Sequence, residues 1–317
     1  MEYYTWESKK EKTMKQKPHR FRDFSYTLMS DGTVRIERYK GSEEEVIIPE
    51  QVYGHKVTEI RTGAFRNRRK LETVTLPEGV QKIGKRVFLN CKKLTLVELP
   101  ESLTQIGDSA FANCRSLGSI IFPDGITYVC RKTFSGCWNL EQVMLPEGLT
   151  GIGKEAFKYC YSLEEITLPD HMTLLGEKAF KNCSALEKIN LPEGMTVIKE
   201  GTFLGCWKLT EISLPKHIEH IGPKAFRDCI ALRKVTLPAG LTTIGEKAFC
   251  HCYHLAEITL PGAVMSIGEK AFHGCKWFED FTAIVTRSSY AENYCKENGM
   301  KYTFLDRNDQ EVGKDGN

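Results

Sequence analysis

The sequence predicts an α/β repeat solenoid: one coil with a parallel β-sheet and short helical turns, closed at each end by unlike sequence. Three observations carry that prediction. Nine prolines from Pro77 to Pro261 stand 23 residues apart, ten phenylalanines from Phe65 to Phe272 keep the same interval, and so do nine cysteines from Cys91 to Cys275. A fixed period of about 20–50 residues is how a chain of stacked units is written, and it outranks any local helix or strand signal.

Taken in order, residues 1–22 are polar and carry Lys9, Lys10, Lys12, Lys15, Lys17, Arg20 and Arg22. They are expected to form a disordered basic tail, a solvated terminus before any arm for an anionic partner. Residues 23–48 are expected to be a β-hairpin cap. FSYTLM and TVRIERY flank Ser30-Asp31-Gly32, a good turn because Gly accepts positive φ. A first coil has an open apolar end, and this small sheet is placed to cover it. The repeats occupy 49–283. The first is irregular, with five extra residues around Tyr53-Gly54-His55-Lys56 expected to bulge as a loop.

Each regular repeat reads alike. In Leu163 to Pro169, Ile166 and Leu168 share one strand face by period-two alternation, and Pro169 ends the strand because it cannot donate a ladder hydrogen bond. A turn follows, then a return segment such as Leu149-Thr150-Gly151-Ile152. Gly153 opens a short helical turn that holds Ala156 and Phe157 inward and closes at Cys160. The Phe157 equivalents are expected to stack as a column down the core. Residues 284–306 are expected to form the C-terminal cap. Ser288 or Ser289 caps a helix that Gly299 stops, with Tyr290, Ala291 and Tyr294 on its covering face, and Lys301 to Leu305 adds a strand. Residues 307–317 are expected to be a disordered tail.

The repeat L-x-x-I-x-L-P-x-x-L-T-x-I-G-x-x-A-F-x-x-C closely resembles the BspA-type leucine-rich repeat across about residues 45–283, and Ser289 to Gly299 resembles that family's usual ending. The resemblance implies a curved leucine-rich-repeat coil with its parallel sheet on one side. It also implies a bacterial protein, often at the cell surface and bound to host or neighbouring-cell proteins.

Composition narrows the partners. With 44 basic and 41 acidic residues the net charge is +3, and this near balance argues against a nucleic-acid binder. No stretch approaches the ~18 apolar residues of a membrane span. The N-terminus lacks the apolar core of a secretory signal. As written, the chain is expected to be cytoplasmic, with the secreted or cell-surface location implied by the resemblance as the alternative. Neighbouring coils lie about 4.8 Å apart, which would let stacked cysteines bridge, but side chains in one column point the same way. Reduced, buried thiols are the expectation, fitting a cytosolic or anaerobic setting.

No phosphate-binding loop, serine elbow or convergent acid pair stands outside the repeat pattern, so no catalysis and no cofactor are expected. Glu165, Lys188, Glu211, Lys234 and Glu257 alternate in sign down one outward column and are expected to pair across the sheet. Cys250, His251, Cys252 and His254, with His273 and Cys275 one coil on, suggest a metal-binding or enzymatic centre as an alternative, but Cys252 and Cys275 belong to the buried column.

Exposed apolar surface is the stronger sign. Leu96, Ile121 and Met144 face outward in the N-terminal half, where later repeats carry polar residues. Trp138, Tyr161, Trp207 and Tyr253 follow the core cysteine and are expected to line one rim of the sheet. Apolar patches and exposed Trp or Tyr mark binding surfaces. The expected function is therefore a non-enzymatic protein-interaction scaffold or adhesin-like module that meets a protein or peptide on its concave strand face, as a monomer. A carbohydrate-binding adhesin, with those aromatics stacked on sugars, is a further alternative.

Overall fold

The computed structural model describes residues 21–275 and 281–305. The two expected tails lie outside the described residues, apart from Phe21 and Arg22, which open a short 3-10 turn. Backbone hydrogen bonds join the coils along three lines that follow the three legs of the repeat. The line through the Ala-Phe leg is unbroken, and the other two are interrupted between some coils.

The front line is a stack of short parallel strands. Glu45–Ile47 pairs with Thr73–Thr75, which pairs with Leu96–Glu98. The same pairing joins Ser119–Ile121 to Gln142–Met144, Glu165–Ile166 to Lys188–Ile189 and Glu211–Ser213 to Lys234–Thr236 as separate pairs, and ends in Glu257–Leu260, Thr282–Val285 and Tyr302–Phe304. The expected last repeat strand around 278–282 falls largely outside the described residues. The second line runs along the return segment, where two-residue strands such as Tyr128–Val129, Gly151–Ile152 and Leu174–Leu175 pair in parallel. Its first members are the N-terminal hairpin: β1 (Phe24–Leu28) pairs antiparallel with β2 (Val34–Tyr39), and β2 pairs parallel with the return strand His55–Ile60. The hairpin turn is fixed by Asp31, whose carboxylate accepts from the Thr33 amide (2.9 Å) and hydroxyl (2.7 Å) beside Gly32 at φ 80°. The surplus residues of the first repeat are better ordered than a bulged loop. Gln51–Val52 pairs antiparallel with His55–Lys56 around Tyr53 and Gly54, both at positive φ.

The third line runs through the Ala-Phe leg. Amides of alternate residues reach the next coil: Glu155 to Glu177, Phe157 to Ala179 and Tyr159 to Lys181, at 2.8–2.9 Å. The residues between them close single turns, as Lys158 does on Glu155. These are separate turns with no continuous helix, because two residues per coil adopt left-handed φ, such as Glu155 (56°) and Tyr159 (64°). A left-handed L-residue costs roughly 1–2 kcal/mol, which the inter-coil bonds must offset. Close approach of the coils also explains one glycine column. A Cβ at Gly176 would sit 2.4 Å from the backbone of Gly153 and Lys154.

The core lies between the three lines. The phenylalanines from Phe65 to Phe272 stack at centroid distances of 5.2–5.9 Å, most of them nearly parallel. Tyr39 stacks on Phe65 at one end, and Phe281 and Tyr294 meet Phe272 at the other. Each column cysteine donates its thiol hydrogen to the phenylalanine carbonyl of the preceding coil, from Cys91 on Phe65 (3.1 Å) to Cys275 on Phe249 (3.2 Å). All twelve cysteines are free.

The terminal helix α1 (Tyr290–Glu297) has a capping box. Ser289 accepts from the Glu292 amide (3.2 Å), and Glu292 accepts from the Ser288 amide (2.7 Å). It covers the open end with Ala291, Tyr294 and Cys295. Tyr290 is exposed, so Cys295 takes the place expected for it. The reason is phase: Cys295 follows Ala291 by four residues and so lies beneath it on one helical face.

Candidate functional site

The outward face of the front strands carries the expected patch. Ile121 and Met144 sit opposite each other in a parallel pair and are 46% and 62% exposed. Leu96 is half-buried, and with Ile47 and Ile121 it lines a groove of about 660 Å³ over the first coils. The groove's remaining walls include Glu50, Glu78, Glu98 and Glu101.

The aromatic rim lies at the other end of the same strands and is not continuous. Trp138, 38% exposed, carries the Arg115 guanidinium 3.8 Å over its ring and lies 6.0 Å from Tyr161. Trp207 is 54% exposed, two coils further on. Tyr253 is half-buried and stacks on His251 at 5.6 Å. Ser184 and Ile230 fill the intervening coils. The structure thus brings Ile121, Met144 and Leu96 together, and Trp138 with Tyr161, but leaves Trp207 and Tyr253 apart.

The alternating charges behave differently from expectation. Glu165 is in register with Lys188, and Glu211 with Lys234, yet no ion pair joins them. On the exposed front face, water solvates both groups and leaves little gain from holding two long side chains together. Ion pairs form elsewhere between coils, as in Glu72–Lys93 (3.1 Å) and Lys178–Glu200 (2.7 Å).

Around Cys250 the groups diverge. Cys252 and Cys275 donate inward to Phe226 and Phe249, His251 Nδ1 meets Asp228 (2.7 Å), and His254 Nδ1 meets the Ile230 carbonyl (2.8 Å). Among the described residues no three His, Cys, Asp or Glu side chains converge as metal ligands. Burial holds the column thiols from Cys91 to Cys252 protonated, Cys91 up to about 12, so they make poor nucleophiles. Cys130 is the half-buried exception. A thiol-reactive dye is therefore expected to label one cysteine per native chain, at Cys130, and the other eleven only after unfolding. Peptide mapping of the labelled site checks this, and rapid labelling of any column cysteine would contradict the packing.

One feature escaped the sequence reading. The residue after the proline is acidic in seven consecutive coils: Glu50, Glu78, Glu101, Asp124, Glu147, Asp170 and Glu193. The signal is a Pro-acid pair repeated at the 23-residue period from Glu78 to Glu193.

The comparisons agree with this architecture. The model of the BspA type leucine rich repeat region matches residues 58–187 and 150–279, well over half of the chain. The chain belongs to the BspA-type leucine-rich-repeat family. Solved structures similar to this BspA-type chain include a leucine rich cell surface protein from Faecalibacterium prausnitzii. It is 24% identical with a TM-score of 0.55, over 95% of this chain and 99% of that one. A leucine-rich repeat protein from Bacteroides ovatus is 22% identical with a TM-score of 0.51, over 91% and 100%. The pneumococcal vaccine antigen PcpA is 18% identical with a TM-score of 0.52, over 92% and 99%. At these identities the likeness is one of fold. Comparison with curated proteins gave no match. Among the described residues no helix is long and apolar enough to cross a membrane.

Proposed function

We propose that this BspA-type chain is a non-catalytic scaffold that binds a protein or peptide on its front sheet, as a monomer at the cell surface. One observation carries the reading. Ile121 and Met144 lie side by side, exposed, on a face whose equivalent positions in later coils are Thr167, Asn190, Ser213, Thr236 and Thr259. Repetition explains the core, but it does not explain aliphatic side chains held in water on a few coils only. The Faecalibacterium protein of the same fold is a cell surface protein, which supports that location. The free cysteines do not oppose it, because buried thiols held protonated are chemically quiet in either redox setting.

The test replaces Leu96, Ile121 and Met144 with serine together. Immobilised wild-type and variant chains are compared for protein recovered from the source organism and from cells it contacts, with circular dichroism as the folding control. Recovery is expected to fall by about tenfold or more, since central apolar anchors dominate such interfaces. Equal recovery by a folded variant would refute the reading.

A further inference from the structure

The front groove has apolar walls and an acidic border, and the two overlap over the first coils. Leu96, Ile121 and Met144 all fall within the span of coils whose post-proline residue is acidic, from Glu50 to Glu193. The outward strand residues turn polar from Glu165 and Thr167 on, and beyond Glu193 the post-proline position also changes, to Lys216, Ala239 and Gly262.

The seven acids are exposed, and none makes an ion pair among the described residues. Acids on other legs differ, since Glu72, Asp108, Glu187 and Glu200 each meet a Lys or Arg of an adjacent coil. The front-strand acids Glu165 and Glu211 stay as free of ion pairs as the seven. Like charges stacked at the coil spacing of about 4.8 Å oppose one another. The fold does not require acids there, since Ala239 and Gly262 occupy the same position. No three carboxylates converge on a metal site.

We infer that the groove takes a polypeptide segment of a partner in which lysines or arginines flank bulky apolar side chains. The apolar side chains would cover Leu96, Ile121 and Met144. The cations would lie along Glu78, Glu101 and Asp124 and relieve their mutual repulsion. Nucleic acid is repelled by the same column. This inference rests on the protein-binding reading and adds the partner's chemistry to it.

The test uses fluorescence polarisation with the full chain and labelled synthetic peptides built from leucine and lysine, leucine and glutamine, leucine and glutamate, or lysine and serine. The leucine–lysine peptide is expected to bind at least about tenfold tighter than the other three, and to weaken as salt shortens the Debye length. The variant Glu78→Lys, Glu101→Lys, Asp124→Lys is expected to lose that binding. Glu177→Lys, Glu200→Lys, Glu246→Lys makes the same charge change on the turn leg and is expected to keep it.

Equal binding of the glutamine peptide, equal binding of the lysine–serine peptide, or indifference to the front-face reversal would overturn the inference. The protein-binding reading would survive any of these if the serine variant still lost its partner. Carbodiimide coupling of the unliganded chain supplies the last arm. A mass-spectrometric cross-link from Lys9–Lys17 to Glu78 or Glu101 would make the occupant the chain's own terminus and overturn an outside partner.

Discussion

Raising the pH from about 8.5 to 10.5 is expected to destabilise the fold steeply, through thiols that no ligand touches. Unfolded cysteines ionise near pH 8.5. In the coil, burial raises the thiols of Cys91, Cys114, Cys137, Cys160, Cys183, Cys206, Cys229 and Cys252, the first of them to about 12. Below about pH 8 both states keep these protons and the thiols add no pH dependence. Above it the unfolded chain releases protons that the folded chain retains, so the native state binds more and stability falls as pH rises. Each thiol contributes about 1.4 kcal/mol per pH unit, and eight unfolding together about 11. Urea midpoints measured anaerobically across this range read the slope. Replacing Cys160 and Cys183 with alanine removes two of the eight and is expected to make the slope shallower by about 2.8 kcal/mol per pH unit. Parallel slopes for wild type and variant would show that the thiols already ionise in the native state.

The second large effect is expected at Phe157. Its ring lies between Phe134 and Phe180, 5.5 Å from each and within 7° of parallel, with no exposure to solvent. Truncation to alanine opens a cavity that the neighbouring coils cannot close, because the hydrogen bonds of the return leg and the Ala-Phe leg fix their spacing on both sides. Phe157→Ala is expected to cost about 4 kcal/mol in urea unfolding. Trp207→Ala, removing a larger but exposed side chain, is expected to stay within about 0.5 kcal/mol. Comparable losses at both positions would mean that the column is not the main source of stability.

Much of this fold is legible in the sequence because a solenoid repeats its reasons. The spacing of Phe157 and Cys160 reports a stacked interior, Pro169 reports where a strand stops, and Ser289 with Gly299 brackets the terminal helix. What the sequence does not report is backbone conformation that ordinary residues adopt against preference. Glu155 and Tyr159 carry no sign of left-handed φ, because the inter-coil bonds impose it. The pairing of Gln51–Val52 with His55–Lys56 likewise follows from the neighbouring coils, which give five surplus residues a sheet edge to fold against.

The site is less legible. Ile121 and Met144 are visible because alternation fixes which way they point. Leu96 and Tyr253 are partly covered by neighbours that no linear reading supplies, and the alternation of Glu165 with Lys188 suggests a pairing that solvent removes. The acidic column could be read by eye, but its significance is not visible there. Only the structure distinguishes acids with a basic neighbour from acids without one.

The thiol-to-carbonyl bonds, the ring stack and the three backbone lines all join one coil to its neighbour and never skip one. Any coil can therefore serve as the floor for any other, and a whole unit such as 146–168 could be excised or duplicated while every junction finds an equivalent surface. Length is then an adjustable property of the molecule. The reach of its front face can grow or shrink by whole repeats while the terminal caps stay unchanged.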